Sequence, residues 1–147
     1  MGYKLARRQN VDEKGIRVRS QITFLYYRDL QVASTFYEGV MGFELIDDQE
    51  WAKIYRISGN AYLGVVDEKK GFLRAQETNA VLITLVVEDV FEWYEYLKNK
   101  GVRTLTEPQD KEDIQVQCFF FEDPGGYALE IQRFLKPDLA RIFQGDD

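Results

Sequence analysis

Histidine is absent from this 147-residue chain, and cysteine occurs once, at Cys118. Without an imidazole to take a nucleophile's proton, Ser-His-Asp and Cys-His systems are excluded. One cysteine also excludes an internal disulfide and fits a reducing compartment. Cys118 lies in a strand-like run and reads as a small buried hydrophobe. No glycine-rich phosphate cradle is present; Asp123-Pro124-Gly125-Gly126 has the residue types of a hairpin turn. Asp29 precedes Leu30, Val32, Ala33, Phe36, Tyr37 and Val40, and Asp89 precedes Val90, Tyr94 and Leu97. An acid placed just ahead of a helical apolar stripe reads as an N-cap, whose carboxylate accepts the free N–H groups of the first turn, rather than as a catalyst.

The elements that must position these residues form one pattern that occurs twice. A strand over 22–28 leads through Asp29 into a helix that stops at Gly42; a strand over 82–88 leads through Asp89 into a helix that stops at Gly101. Strand character then recurs at 43–46, 51–58 and 61–66 in the first copy, and at 102–106, 115–122 and 127–133 in the second. Gly59-Asn60 and Asp123-Pro124-Gly125-Gly126 supply the tight turns. Each copy therefore reads as βαβββ, an internal duplication inferred from pattern rather than from identity. Trp51, Tyr55, Phe119, Phe120 and Phe121 are strand aromatics and read as core.

The length suits a single domain with an ordinary core. The expected layout is a basic N-terminal extension over 1–20 and a two-module domain over 21–134, followed by a C-terminal extension over 135–147. Within the domain the modules span 21–66 and 80–134, with a charged linker at 67–79. The C-terminal extension carries Leu139, Ile142 and Phe143 at the spacing of a short helix. No apolar run approaches the roughly 20 residues that a bilayer demands, and no secretory signal is visible, so a cytoplasmic location is expected. The net charge of −6 argues against nucleic acid or anionic lipid as partners, although residues 1–20 carry a local excess of four positive charges. That extension is expected to be solvated or to cross onto a partner subunit.

Two βαβββ units, Tyr27-Arg28-Asp29-Leu30 before a helix carrying Phe36-Tyr37, Met41-Gly42-Phe43 after it, and Asp123-Pro124-Gly125-Gly126 before Leu129-Glu130-Ile131 resemble the vicinal oxygen chelate superfamily. That group comprises glyoxalases, extradiol dioxygenases, fosfomycin-resistance enzymes and bleomycin-resistance proteins. The resemblance covers about residues 21–134 and implies an α+β fold of two modules, each a curved, cup-shaped mixed sheet with its helix outside. It also implies a homodimer whose subunits complete or adjoin each cup.

In the metal-dependent members each module gives one ligand from its first strand and one from its last. Those positions correspond to Ile22, Leu82, Gly64 and Glu130, and three of the four cannot bind a metal. A divalent ion wants several imidazole or carboxylate ligands with open positions left over, so the expectation is no metal and no cofactor. From the mapped positions, the two-residue strand period puts Ile22, Phe24, Tyr26, Tyr62, Gly64 and Val66 on the inner face, with Leu82, Thr84, Val86, Ala128, Glu130 and Gln132. Gly64 is expected to leave room for a ligand atom opposite Glu130. Such a wall, apolar and aromatic with a few polar groups, has the make-up of a small-molecule site.

Glu130 is the one candidate base; it could equally anchor a hydrogen bond or balance a cationic ligand. The leading expectation is a metal-independent protein of the bleomycin-resistance type that binds a small, partly aromatic or cationic compound. The alternatives are a lyase, isomerase or dioxygenase of the same superfamily using Glu130 as base or ligand, and an interaction module with no ligand.

Overall fold

The computed structural model describes residues 16–145; most of the basic extension, including the part expected to reach a partner, lies outside the described residues. The elements run β1 (Gln21–Tyr27), α1 (Leu30–Thr35, continuing as a π-helical turn over Phe36–Val40), β2 (Glu44–Asp48), β3 (Ala52–Ser58) and β4 (Ala61–Asp67). The second half adds β5 (Leu82–Val86), α2 (Val90–Asn99), β6 (Arg103–Thr104), β7 (Gln109–Lys111), β8 (Val116–Glu122), β9 (Ala128–Phe134) and α3 (Pro137–Gln144).

Both caps are formed by the expected aspartates. Asp29 Oδ1 accepts from the N–H of Gln31 at 3.1 Å and of Val32 at 3.3 Å, and Asp89 Oδ1 accepts from the N–H of Glu92 at 3.1 Å. Gly42 and Gly101 follow the helices at φ +71° and +75°, a conformation that a Cβ disfavours. The π turn was not legible in the sequence. Met41 N–H donates to Phe36 O at 2.9 Å, and this five-residue repeat keeps both Phe36 and Met41 in the core.

The sheets are mixed and of unequal size, with order β1-β4-β3-β2 in the first and β5-β9-β8-β6 in the second, where β7 also pairs with β8. In each, the first and last strands of the module run parallel. The second module departs from a plain βαβββ pattern because its edge strand is broken. Pro108 has no N–H to donate, and Thr106 bends inward so that its Oγ1 accepts from Phe120 N–H at 3.0 Å. The pairing with β8 resumes only at Gln109.

One face of each sheet carries the core. Leu25, Tyr27, Leu63 and Val65 from the first module and Leu85, Phe119, Phe121, Leu129 and Ile131 from the second form one cluster with the helix residues Tyr37, Val90 and Leu97. Truncating one of these, such as Leu129, would cost about 2–5 kcal/mol through lost transfer energy and the cavity left behind. The opposite, concave faces point away from α1 and α2. Among the described residues both sheets stay open, with no closed barrel. As anticipated, a short C-terminal helix is present, and Phe143 stacks on Phe134 with ring centroids 4.8 Å apart.

Candidate functional site

Strand register aligns the site residues anticipated from the sequence in lateral pairs. Across β1 and β4, Ile22 stands beside Tyr62, Phe24 beside Gly64 and Tyr26 beside Val66. Across β5 and β9, Leu82 stands beside Ala128, Thr84 beside Glu130 and Val86 beside Gln132. Because the side-chain period is two, each set shares the face turned away from the helices. This face is open in the single chain: Phe24 is 40% exposed and Leu82 48%.

Glu130 is only 6% exposed, whereas Thr84 beside it is exposed. Thr84 Oγ1 donates to its Oε1 at 2.7 Å, and Gln132 Nε2 donates to its Oε2 at 3.3 Å. Among the described residues it makes no ion pair with lysine or arginine. Its carboxyl group is thus held by neutral donors alone. Cys118, on the adjacent β8, is buried, and burial followed by the hydrogen bond and charge of Glu130 pushes its thiol up to about 11. At neutral pH it is a protonated thiol, the inert hydrophobe anticipated.

Three anticipations need correction. Gly64 does not leave an empty space, since a Cβ there would lie 2.2 Å from the Phe24 ring; its missing side chain is what lets Phe24 lie across β4. Phe120, read as core, pairs with Glu130 across β8 and β9 and so stands on the concave face, half-buried. The alternation of the run Phe119-Phe120-Phe121 was the signal for it. Trp51, also read as core, precedes β3 and is 40% exposed, whereas Tyr55, Phe119 and Phe121 are buried.

Tyr62 is less free than its position suggested, since Arg56 Nη1 donates to its hydroxyl at 2.8 Å and the guanidinium lies over its ring. Tyr26 is fixed through its backbone. The Tyr127 hydroxyl accepts from Tyr26 N–H and donates to Tyr26 O, both at 3.0 Å, and so ties the second module to the edge of β1.

The residue that sequence reasoning undervalued is Asp123, seen only as the start of a turn. It is 5% exposed and joins the modules. Its Oδ2 accepts from the hydroxyls of Tyr27 and, at 2.7 Å, Tyr37. Its Oδ1 accepts from the N–H groups of Gly125 and Tyr127, both at 2.9 Å. Burial, the neighbouring Tyr37 and the Asp123 charge raise the Tyr27 phenol far above its ordinary value, and burial and the Asp123 charge do the same for Tyr37. Four donors satisfy a carboxylate that would otherwise be costly to bury.

A sequence profile for the Glyoxalase/Bleomycin resistance protein/Dioxygenase superfamily matches residues 19–131. The chain belongs to this superfamily. An uncharacterised protein, YraH of Bacillus subtilis, is 30% identical over 111 residues, which span 75% of this chain and 86% of YraH. Among solved structures, a glyoxalase/bleomycin resistance protein/dioxygenase from Nocardioides superposes with a TM-score of 0.68 at 20% identity, covering 82% of this chain and 86% of its own. The fosfomycin resistance protein FosX of Listeria monocytogenes gives 0.67 at 16% identity, covering 83% and 98%. At such identities the structures establish a shared fold, here the α+β vicinal oxygen chelate architecture.

Many members of the superfamily hold a divalent ion in the cup, and the residues of this chain do not fit one. Ile22, Gly64 and Leu82 offer no donor at three of the four ligand positions, and the carboxylate at the fourth is engaged by Thr84 and Gln132. Among the described residues no group of three or more His, Cys, Asp or Glu side chains is disposed to hold a metal.

Proposed function

We propose that this member of the superfamily is a metal-independent binding protein for a small planar, cationic compound held in the cup. One observation carries this reading: Glu130 is buried, bonded only to neutral groups, and set in a wall of aromatic and aliphatic side chains. A carboxylate in low-dielectric surroundings attracts a cation far more strongly than one in water. Phe24 and Phe120 offer ring faces for stacking, which adds about 0.5–1.5 kcal/mol per aromatic pair. A catalytic role for Glu130 has less support, since a general base needs a second positioned acid, metal or oxyanion donor, and Thr84 already spends its hydroxyl proton on Glu130 itself.

The half-exposed Phe24 and Leu82 support a further part of the proposal, that a second copy of the chain covers the open faces and completes two cups. A desolvated cup would strengthen the charge pairing.

Fluorescence titration with acriflavine, a planar cation, and acridone, a neutral plane of similar shape, tests the reading. The expected result is saturable acriflavine binding that Glu130→Gln weakens about tenfold or more, with acridone binding unchanged by the substitution. Stoichiometric zinc, iron or manganese in protein purified from metal-supplemented medium would overturn it, as would equal acriflavine affinity in the wild type and the variant.

A further inference from the structure

A hollow of about 270 Å³ lies beside the cup, where Tyr26 and Tyr27 at the end of β1 and the start of α1 meet the segment around residues 75–77 and the turn at Pro124 and Gly125. Arg28 and Glu77 both line it. Opposite charges that share so small a space ordinarily pair with each other. Here neither side chain makes an ion pair or a hydrogen bond to any described residue. Asp29, which also lines the hollow, is already committed as the cap of α1. The rest of the lining is mixed: Val32, Ala75 and Pro124 give it apolar surface and Gln76 a polar side chain.

The frame around this hollow is fixed. Tyr27 in its floor is bonded to the buried Asp123, and Gly125 lies so close to the Tyr27 ring that a Cβ would come within 2.5 Å of it. On the opposite side, Ala75 N–H donates to Glu68 Oε1 at 3.1 Å. The arrangement thus offers a guanidinium, a carboxylate and an apolar patch on a preorganised scaffold.

We propose that this hollow is a second binding site, separate from the cup, for a small zwitterion of the α-amino-acid class. The ligand carboxylate sits on the planar fork of Arg28, which matches it with two parallel hydrogen bonds. The ligand ammonium faces Glu77, and its side chain lies against Val32, Ala75 and Pro124. The volume falls just below the range of drug-sized sites, in keeping with so small a ligand.

The experiment titrates the full-length protein with each proteinogenic amino acid into the millimolar range, followed by calorimetry and by amide chemical shifts. The best binder is then compared with its amide, which lacks the carboxylate, and its N-acetyl form, which lacks the ammonium. Saturable binding by at least one amino acid is expected, with each derivative weaker by about tenfold or more. Arg28→Gln should erase the preference over the amide, and Glu77→Gln the preference over the N-acetyl form. Both side chains are exposed, so the variants keep the fold, and acriflavine binding in the cup should be unchanged. Absence of saturation by every amino acid overturns the site, as does wild-type selectivity in either variant.

Discussion

At the scale of single residues, two buried carboxylates divide the work. Glu130 faces the cup and is satisfied by side chains of its own sheet; Asp123 faces the junction and is satisfied by groups of both modules. The second is therefore the more costly to remove. Asp123→Ala leaves two tyrosine hydroxyls and two backbone N–H groups without their acceptor, and a loss of about 3–5 kcal/mol is expected in urea unfolding. Asp123→Asn, which keeps one acceptor oxygen, should lose less. The same cluster sets the alkaline limit. Tyr27, Tyr37 and Tyr127 ionise near 10.0 when free, and burial raises all three in the folded protein. Groups whose neutral form is favoured by folding stabilise the protein fully below their free pKa, and that contribution is lost as pH climbs above it. Stability should therefore be level up to about pH 9 and fall beyond 10, with tyrosinate absorbance rising together with loss of circular dichroism. Ionisation of all tyrosines well before unfolding would contradict this account.

At the scale of elements, the concave face of the first sheet depends on one missing side chain. Phe24 lies across β4 because its register partner Gly64 has no Cβ. Gly64→Ala should push the ring outward and cost about 1–3 kcal/mol by overpacking. In a Phe24→Ala background the same change should cost close to nothing, and a double-mutant cycle measures the difference. Equal costs in both backgrounds would mean that the backbone at Gly64, not the ring, sets the limit. The broken edge of the second sheet follows a similar local logic. The strand read over 102–106 is only the two-residue β6, and beyond Pro108, which cannot donate to β8, a further short strand that was not read, β7, pairs with β8. The proline was legible in the sequence; the inward turn of Thr106 onto Phe120 was not.

At the scale of the whole molecule, the two modules share one core but use it from one side only, which leaves Phe24 and Leu82 partly uncovered on the other. Apolar surface of that kind favours association, since each Å² removed from water contributes about 25 cal/mol. Sedimentation equilibrium should give a dimer, and Phe24→Glu with Leu82→Lys should shift it toward monomer without loss of secondary structure. A wild-type monomer at all concentrations would show that the open faces serve something other than self-association.

The sequence by itself determined the duplicated α+β architecture and the helix limits at Asp29, Gly42, Asp89 and Gly101, and its strand period gave the alternation that turns Ile22, Phe24 and Glu130 to one face and Leu25 and Leu129 to the other. These follow from local rules: capping acids, positive-φ glycines and the two-residue period of strands, all of which act over a few positions. The absence of histidine also fixed the poverty of metal donors. Tertiary structure alone decided what fills the place of Gly64, that Phe120 joins Glu130, and that Asp123 is a clasp between modules rather than a turn residue. Each depends on which distant segment arrives at a given side chain, with Tyr27 and Tyr37 reaching Asp123 across 96 and 86 residues. Strand period tells which way a side chain points; only the packing of one module on the other tells what it meets.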